Sequence, residues 1–313
     1  MTTVPAYRDL PILIEGTDYR CAWDHFPPGD DLGCLRHITP ARRRRALAGV
    51  TTGETVNLSL PLTLPDPPMF GRESLRHEVF VSGRNNVDDR LDNFFPQASS
   101  QWDGFRHVRA REHGFFTGHP GDFQPGPGRL GIEHFAEQGI IGRGVLLDLS
   151  AAYLEAIASG RGDEDCWFDA TDLRNAAAAA SVEVQPGDVL CLRTGWMHRY
   201  LAAGPEERVE LGTAHRWPGL AGSAGVAEVL WDWQVAAVVG DNPAVEMAPG
   251  RREFGSLHRR VVPLLGIPLG ELFTLEDLAV MCARTGRRHF AFVSVPLNLP
   301  GGVGSPANAV AIF

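Results

Sequence analysis

From about Gly142 onward, short continuous apolar runs alternate with runs whose apolar residues recur at helical spacing. "GRGVLLDL" reads as a buried strand, "SAAYLEAIASG" as a helix, and "DATDLRNAAAAA" as a second helix capped by Asp or Thr. "DVLCLRTG" and "QVAAVVGD" predict strands on either side of a helix in "AGVAEVLWDW". "SLHRRVVPLLG" is helix-like until Pro263, "TLEDLAVMCARTG" is a helix ending at glycine, and "HFAFVSV" is a strand. This order predicts an α/β domain with a mixed, largely buried sheet. The first seventy residues, with "FPPGDD" and "LTLPDPPMFG", predict extended or looped structure. The exception is a short helix in "ARRRRALAG", whose exposed face carries Arg42 to Arg45. No linker divides the chain. Residues 1–56 are expected to pack as an extended segment on a domain formed by 57–313.

Composition narrows the function classes. A chain of 313 residues can bury a sizeable core, and no apolar run reaches the length of a membrane span. The N-terminus lacks a basic region followed by an apolar stretch, so cytoplasmic residence and no membrane partner are expected. A net charge of −9 argues against a nucleic-acid partner. The five cysteines (Cys21, Cys34, Cys166, Cys191, Cys282) form no CxxC pair and fit reduced structural thiols. All 29 basic residues are arginine, which excludes Schiff-base, pyridoxal-phosphate and Walker-loop chemistry, each of which needs a lysine. No GxGxxG follows a strand, and there is no GxSxG elbow. "GGVGSPAN" predicts a tight turn lining a pocket.

What remains is carboxylates and imidazoles. "FFPQASSQWDGFRH" (94–107) holds Gln97, Gln101, Asp103 and His107. His113 and His119 follow, then Glu133-His134, then Asp241 and Glu246 directly after a buried strand, and finally His258 and Glu271. The order and form of these pieces resemble the cyclase family of metal-dependent hydrolases, which includes bacterial kynurenine formamidase and isatin hydrolase. The family strip HxGTHxDxPxH, laid on this chain, places its first histidine at Gln97 and its Gly-Thr pair at Ser99-Ser100. Its second histidine then falls at Gln101, its aspartate at Asp103 and its last histidine at His107. His258 and Glu271 match the family's later histidine and glutamate. "GIIGRGVLLDL", "LRTGW", "GIPLGELFTLEDLA" and "PLNLPGGVGSPANAVAIF" resemble a longer-chain branch with a "QxSSQWDGxRH" strip. The resemblance runs from about Asn57 to the C-terminus.

It implies a swivelling β/β/α fold, a homodimer or homotetramer, and a divalent ion held by Gln97, Gln101, Asp103, His258 and Glu271. Amide oxygens in place of two imidazoles favour Mn2+ over Zn2+. His107 is then the general base, with Asp103 beside it, for hydrolysis of an amide, lactam, lactone or ester of a small aromatic molecule. Trp102, Phe105, Phe115 and Phe116 would wall the substrate, Arg106 or Arg109 would pair with a substrate carboxylate, and His113 and His119 would line the site. Two other readings stay open at this point. One is an intramolecular condensation, dehydration or ring opening that needs no attacking water. The other is a small-molecule-binding protein that has kept the fold without the ion.

Overall fold

The computed structural model describes residues 4–313. Its strands are β1 (Thr55–Asn57), β2 (Arg76–Gly83), β3 (Asn86–Asp92), β4 (Gln101–Asp103), β5 (Ile140–Asp148), β6 (Trp167–Phe168) and β7 (Val189–Arg193). The remainder are β8 (Gly219–Leu220), β9 (Ala237–Gly240), β10 (Leu269–Glu271), β11 (His289–Ser294), β12 (Gly304–Pro306) and β13 (Ala309–Ile312). Nine of them form one sheet in the order β1-β13-β11-β5-β7-β9-β10-β4-β12. Its centre, β5-β7-β9-β10, is parallel. The strands on both flanks run antiparallel to their neighbours. The predicted mixed, buried sheet is therefore present. Its central strands are buried along almost their whole length, as the continuous apolar runs require.

The helices end where local chemistry ends them. Asp169 caps Ala170–Ala179, accepting from the Thr171 and Asp172 amides while Asp172 reaches back to its own amide. Helix Glu276–Thr285 stops at Gly286, whose φ of 66° suits a residue without a Cβ. Leu257–Val261 ends two residues before Pro263. Helices Trp196–Ala202 and Pro205–Thr213 were not legible in the sequence pattern. "GGVGSPAN" departs from its predicted turn: Gly304–Pro306 is edge strand β12, paired with β4.

The N-terminal segment is integral to the core. Tyr7, Leu10, Phe26, Leu35 and Ile38 are buried in the same cluster as the sheet residues. Strand β1 spans the 56/57 position. All five cysteines are buried and unpaired by disulfides. No helix among the described residues is long and apolar enough to cross a membrane.

One element stands outside this packing. Strands β2 and β3 form a two-stranded hairpin, exposed at every position, that leaves the body just before the 94–107 strip.

Candidate active site

Strands β4 and β10 pair antiparallel, with Gln101 opposite Glu271 and Asp103 opposite Leu269. Side chains alternate across a strand, so Gln101, Asp103 and Glu271 share one face, and Trp102 must point to the other. His258 comes from helix Leu257–Val261, where Ser256 caps the first turn. Ligating atoms of Asp103, His258 and Glu271 lie within 4.8 Å of one another. His258 Nε2 is 3.1 Å from Glu271 Oε1 and 4.0 Å from Asp103 Oδ2.

Glu246 fixes the imidazole. Its Oε2 is 2.7 Å from His258 Nδ1, and its carboxylate also accepts the backbone amides of Leu257 (2.8 Å) and His258 (3.1 Å). Nδ1 is thereby engaged, and Nε2 is left facing the two carboxylates. A carboxylate behind a histidine in this way orients metal-ligating imidazoles generally. The glutamate after β9 was a candidate by position alone; its partner was invisible until the fold brought 246 and 258 together. Glu246→Ala should therefore weaken divalent-ion affinity or turnover by about 10–100-fold. Isothermal titration with Mn2+ checks this.

Burial, reinforced by the charge of Glu271, pushes the Asp103 carboxyl up to about 6, although His107, His258 and Gln97 act in the opposite sense. Burial works against a charge on His258, but its hydrogen bonds to Glu246 and Glu271 outweigh it and raise the imidazole well above its ordinary value. For Glu246, burial favours the neutral acid, and His258 more than compensates, holding the carboxyl below the usual range. Asp103 Oδ2 and Gln101 Oε1 are buried without a hydrogen-bond partner. Two buried carboxylates, one oriented imidazole and orphaned oxygens make a donor set that fits a divalent cation.

Both glutamines turn their amide nitrogens to the carboxylates. Gln97 Nε2 lies 2.5 Å from Asp103 Oδ1 and 3.3 Å from His107 Nδ1, and Gln101 Nε2 donates to Glu271 Oε2. Their amide nitrogens hold the carboxylates from the side. Gln97 thus turns its amide nitrogen toward Asp103 and His107, while Gln101 keeps an Oε1 without a hydrogen-bond partner. Only glycine at 304 leaves Gln97 this place, because a Cβ there would sit 2.6 Å from Gln97 Cγ. His107, about one-third exposed, sets its Nε2 3.6 Å from Asp103 Oδ2 at the edge of the cluster.

Two of the expected substrate contacts, Trp102 and Phe105, are fully buried in the core. Trp102 is fully buried on the core face, edge-on to Phe273 and Phe292, with its indole N–H donating to Ser294 Oγ. Phe105 is equally buried and packs on Phe116 and Phe135. Arg106 spends its donors on the carbonyls of Gln124, Arg129 and Gly301 and stacks on Phe123. Phe115 packs against Phe123 and under Arg109. His119 stacks on Phe123 and accepts the Gly121 amide. His113 sits beside exposed Glu112. None of these side chains belongs to the ion-ligating group. Glu133 is a structural acceptor for the Gly301 amide, and His134 contacts the Gly128 carbonyl.

Asp241, another sequence candidate, is structural as well. Its two oxygens accept the Thr194 amide and hydroxyl and the Gly195 amide, which locks the turn after β7. Burial raises its carboxyl to about 6. A buried acid whose folded pKa exceeds its unfolded value contributes stability at low pH and loses it as pH rises through the folded value. Relative to Asp241→Asn, the wild-type chain should lose about 2 kcal/mol of stability between pH 4 and pH 7. Urea unfolding of both proteins at the two pH values measures this.

Two further features carry no signal in the sequence. Arg72 stacks on Phe70 and keeps a buried Nη1 without a partner. Burial lowers its pKa, and the charges of Glu271 and Asp103 oppose that shift. A cleft of about 720 Å³ also opens against His258 and Glu246, with Arg111, Arg251, Arg252 and Arg259 in its wall.

Comparison with known proteins accords with this geometry. A crystal structure described as a novel cyclase superposes with a TM-score of 0.79 at 26% identity, covering 94% of this chain and 99% of that one. Isatin hydrolase A from Labrenzia aggregata, bound to benzyl benzoate, gives 0.61 at 14% identity over 86% and 98%. An isatin hydrolase bound to the product analogue thioisatinate gives 0.59 at 16% over 86% and 95%. No curated protein matches the chain. The Cyclase family model matches residues 56–247, which include the Gln97–His107 strip and Glu246 and end before His258 and Glu271. With more than half its length matched, and with the fold and strip in agreement, the chain belongs to the Cyclase family.

Proposed function

We propose that this protein is a hydrolase that cleaves an amide, lactam, lactone or ester bond of a small molecule at the Asp103–His258–Glu271 cluster. The observation that carries this reading is the convergence of those three ligating groups around a partnerless buried Asp103 oxygen. Isatin hydrolases of the same fold lend it support. Asp103, His258 and Glu271, with Gln101 Oε1, would hold a divalent ion, manganese ahead of zinc for an oxygen-dominated set. Such an ion supplies carbonyl polarisation and a more acidic water.

The chain's own residues do the rest. Glu246 holds the His258 ring, and Gln97 and Gln101 hold the two carboxylates by hydrogen bonds. His107, at the exposed edge, accepts a proton during attack and returns it to the leaving group. Its Nδ1 lies 3.3 Å from the Gln97 amide nitrogen, and the other ring nitrogen, Nε2, faces the cluster and takes the proton.

The arginine-walled cleft gives the substrate a sign. In a chain of net charge −9, a concentration of guanidinium groups in a cleft that touches His258 favours an anionic substrate. Arg251 is already stacked on Trp167 and paired with Asp165, whereas Arg252 and Arg259 have no carboxylate within ion-pair distance among the described residues. Arg252→Gln and Arg259→Gln should each raise KM for acidic substrates about tenfold, the loss of one charge-assisted hydrogen bond. The kcat and the turnover of neutral esters should stay as they were.

The direct test is metal analysis of protein purified without chelator, followed by a screen of amides and lactones with Mn2+ and with EDTA. One ion per chain and EDTA-sensitive turnover are expected. No stoichiometric ion, together with EDTA-resistant turnover, overturns the reading.

A further inference from the structure

A second arginine-rich cleft lies across the sheet from the active site. Arg143 and Asp188 directly precede Gly144 and Val189, the first paired residues of the parallel β5–β7 ladder. Glu271 ends β10 at the opposite edge, level with the last residue of β9. The cleft holds about 550 Å³, the size of a small-molecule site, and shares no wall residue with the cleft at His258. Arg42 and Arg45 reach it from one face of helix Pro40–Ala48, Arg143 from β5, and Arg287 from the turn before β11.

Two carboxylates share the wall, Glu183 and Asp188, and Asp188 balances Arg143 at 3.2 Å. Arg42, Arg45 and Arg287 have no carboxylate within ion-pair distance among the described residues. Four guanidinium groups against two carboxylates leave the cleft two charges positive, in a chain of net charge −9. Neighbouring imidazoles respond to that field. Burial lowers the His289 pKa, and the charges of Arg143 and Arg287 lower it further. His37, half-buried beside Arg42, is pushed down to about 4 by burial first and then by that guanidinium.

The cationic groups are also held in place. Arg42 Nη1 donates to the His37 carbonyl at 2.8 Å. Arg287 spans Thr51 Oγ1 at 2.9 Å and the Gly49 carbonyl at 2.8 Å. Gly187, with a φ of 92°, lets the 183–188 loop close on Arg42, since a Cβ there would lie 2.6 Å from the His37 carbonyl oxygen and 3.0 Å from Arg42 Cδ. The helix C-terminus accounts for one cation at Gly49, which Arg287 supplies. It does not account for Arg42 and Arg45 beside it.

We propose that this cleft binds a phosphoryl dianion, as free phosphate or as the phosphate ester of a small molecule, on Arg42, Arg45 and Arg287. Guanidinium forks match phosphate oxygens in geometry and stay charged at every working pH. The two surplus positive charges match the charge of roughly −2 on a phosphate monoester. A nucleic-acid backbone fits poorly, because a chain of net charge −9 offers no basic track on which it could continue. The site is independent of the ion cluster and of the proposed hydrolysis.

Isothermal titration of the full chain with inorganic phosphate and with AMP, at about 0.15 M salt, tests this. At least one probe should bind with a Kd below about 1 mM. Tighter binding of AMP assigns the site to an ester, and equal binding assigns it to the free ion. Arg42→Gln/Arg45→Gln should weaken the tighter probe at least about tenfold, whereas Arg252→Gln and Asp103→Asn should leave its affinity unchanged. Failure of both probes to bind overturns the proposal. So does binding that survives Arg42→Gln/Arg45→Gln, or binding that is lost in Arg252→Gln or Asp103→Asn. Hydrogen exchange on the wild type covers the case in which the double variant misfolds. The tighter probe should slow exchange in residues 183–188 and leave residues 250–259 as they were. Protection at 250–259 alone also overturns the proposal.

Discussion

Asp103→Asn should leave a folded chain, at least as heat-stable as wild type in EDTA, that no longer retains a divalent ion and turns over substrate more than about 100-fold more slowly. The stability half follows from the environment. Asp103 is fully buried beside Glu271, and both burial and that neighbour raise its carboxyl to about 6. An ionised Asp103 is therefore a cost to the fold, and the amide removes the charge while keeping the shape. Oδ1 can still accept the Gln97 hydrogen bond. The functional half follows from the orphaned Oδ2, which is the oxygen turned toward His258 and the one the amide replaces or disables. Residues that only support a ligand cost 10–100-fold when removed, so a ligand should cost more. Elemental analysis and thermal unfolding on one preparation read both halves. Unchanged ion content, or a large loss of stability, would show Asp103 to be a structural acid like Asp241.

The contrast between those two aspartates shows what the sequence could and could not reveal. Both are buried acids with raised pKa values, next to short strands. Asp241 satisfies the turn at Thr194 and Gly195, 46 and more residues away, so its role depends on a contact that no local pattern encodes. The α/β alternation after Gly142 was legible because strands and helices of five to ten residues show their period. Strands β4, β10 and β12 have three residues each, and β4 pairs with the other two across gaps of more than 160 residues, too short for a period and too distant for a local signal. Trp102 was misassigned although alternation alone could have placed it: if Gln101 and Asp103 face the site, the residue between them faces the core. Arg106 is different, because its acceptor at Gly301 lies far along the chain and nothing near 106 announces it. The strip itself was legible, but the direction of its amides was not. Whether Gln97 offers nitrogen or oxygen to the site depends on where the Asp103 carboxylate and the His107 ring end up.

That dependence makes His107→Ala the sharpest functional test after Asp103. His107 touches Asp103 only at 3.6 Å and is not among the converging ligands, so its loss should leave the ion content at one per chain. It is also about one-third exposed and makes no buried hydrogen bond, so the fold should lose little. If it moves the proton, turnover should fall by about 10²–10⁴-fold, the usual share of a positioned acid–base group. Gln97→Ala separates proton transfer from mere placement. It removes the amide that lies against both Asp103 Oδ1 and His107 Nδ1, and so should lower activity by less than the loss of His107 itself. Near-wild-type turnover in His107→Ala would instead put the proton on water or on the substrate itself. Hydrolysis would then have to run on the Asp103–His258–Glu271 cluster without an acid–base residue at its mouth.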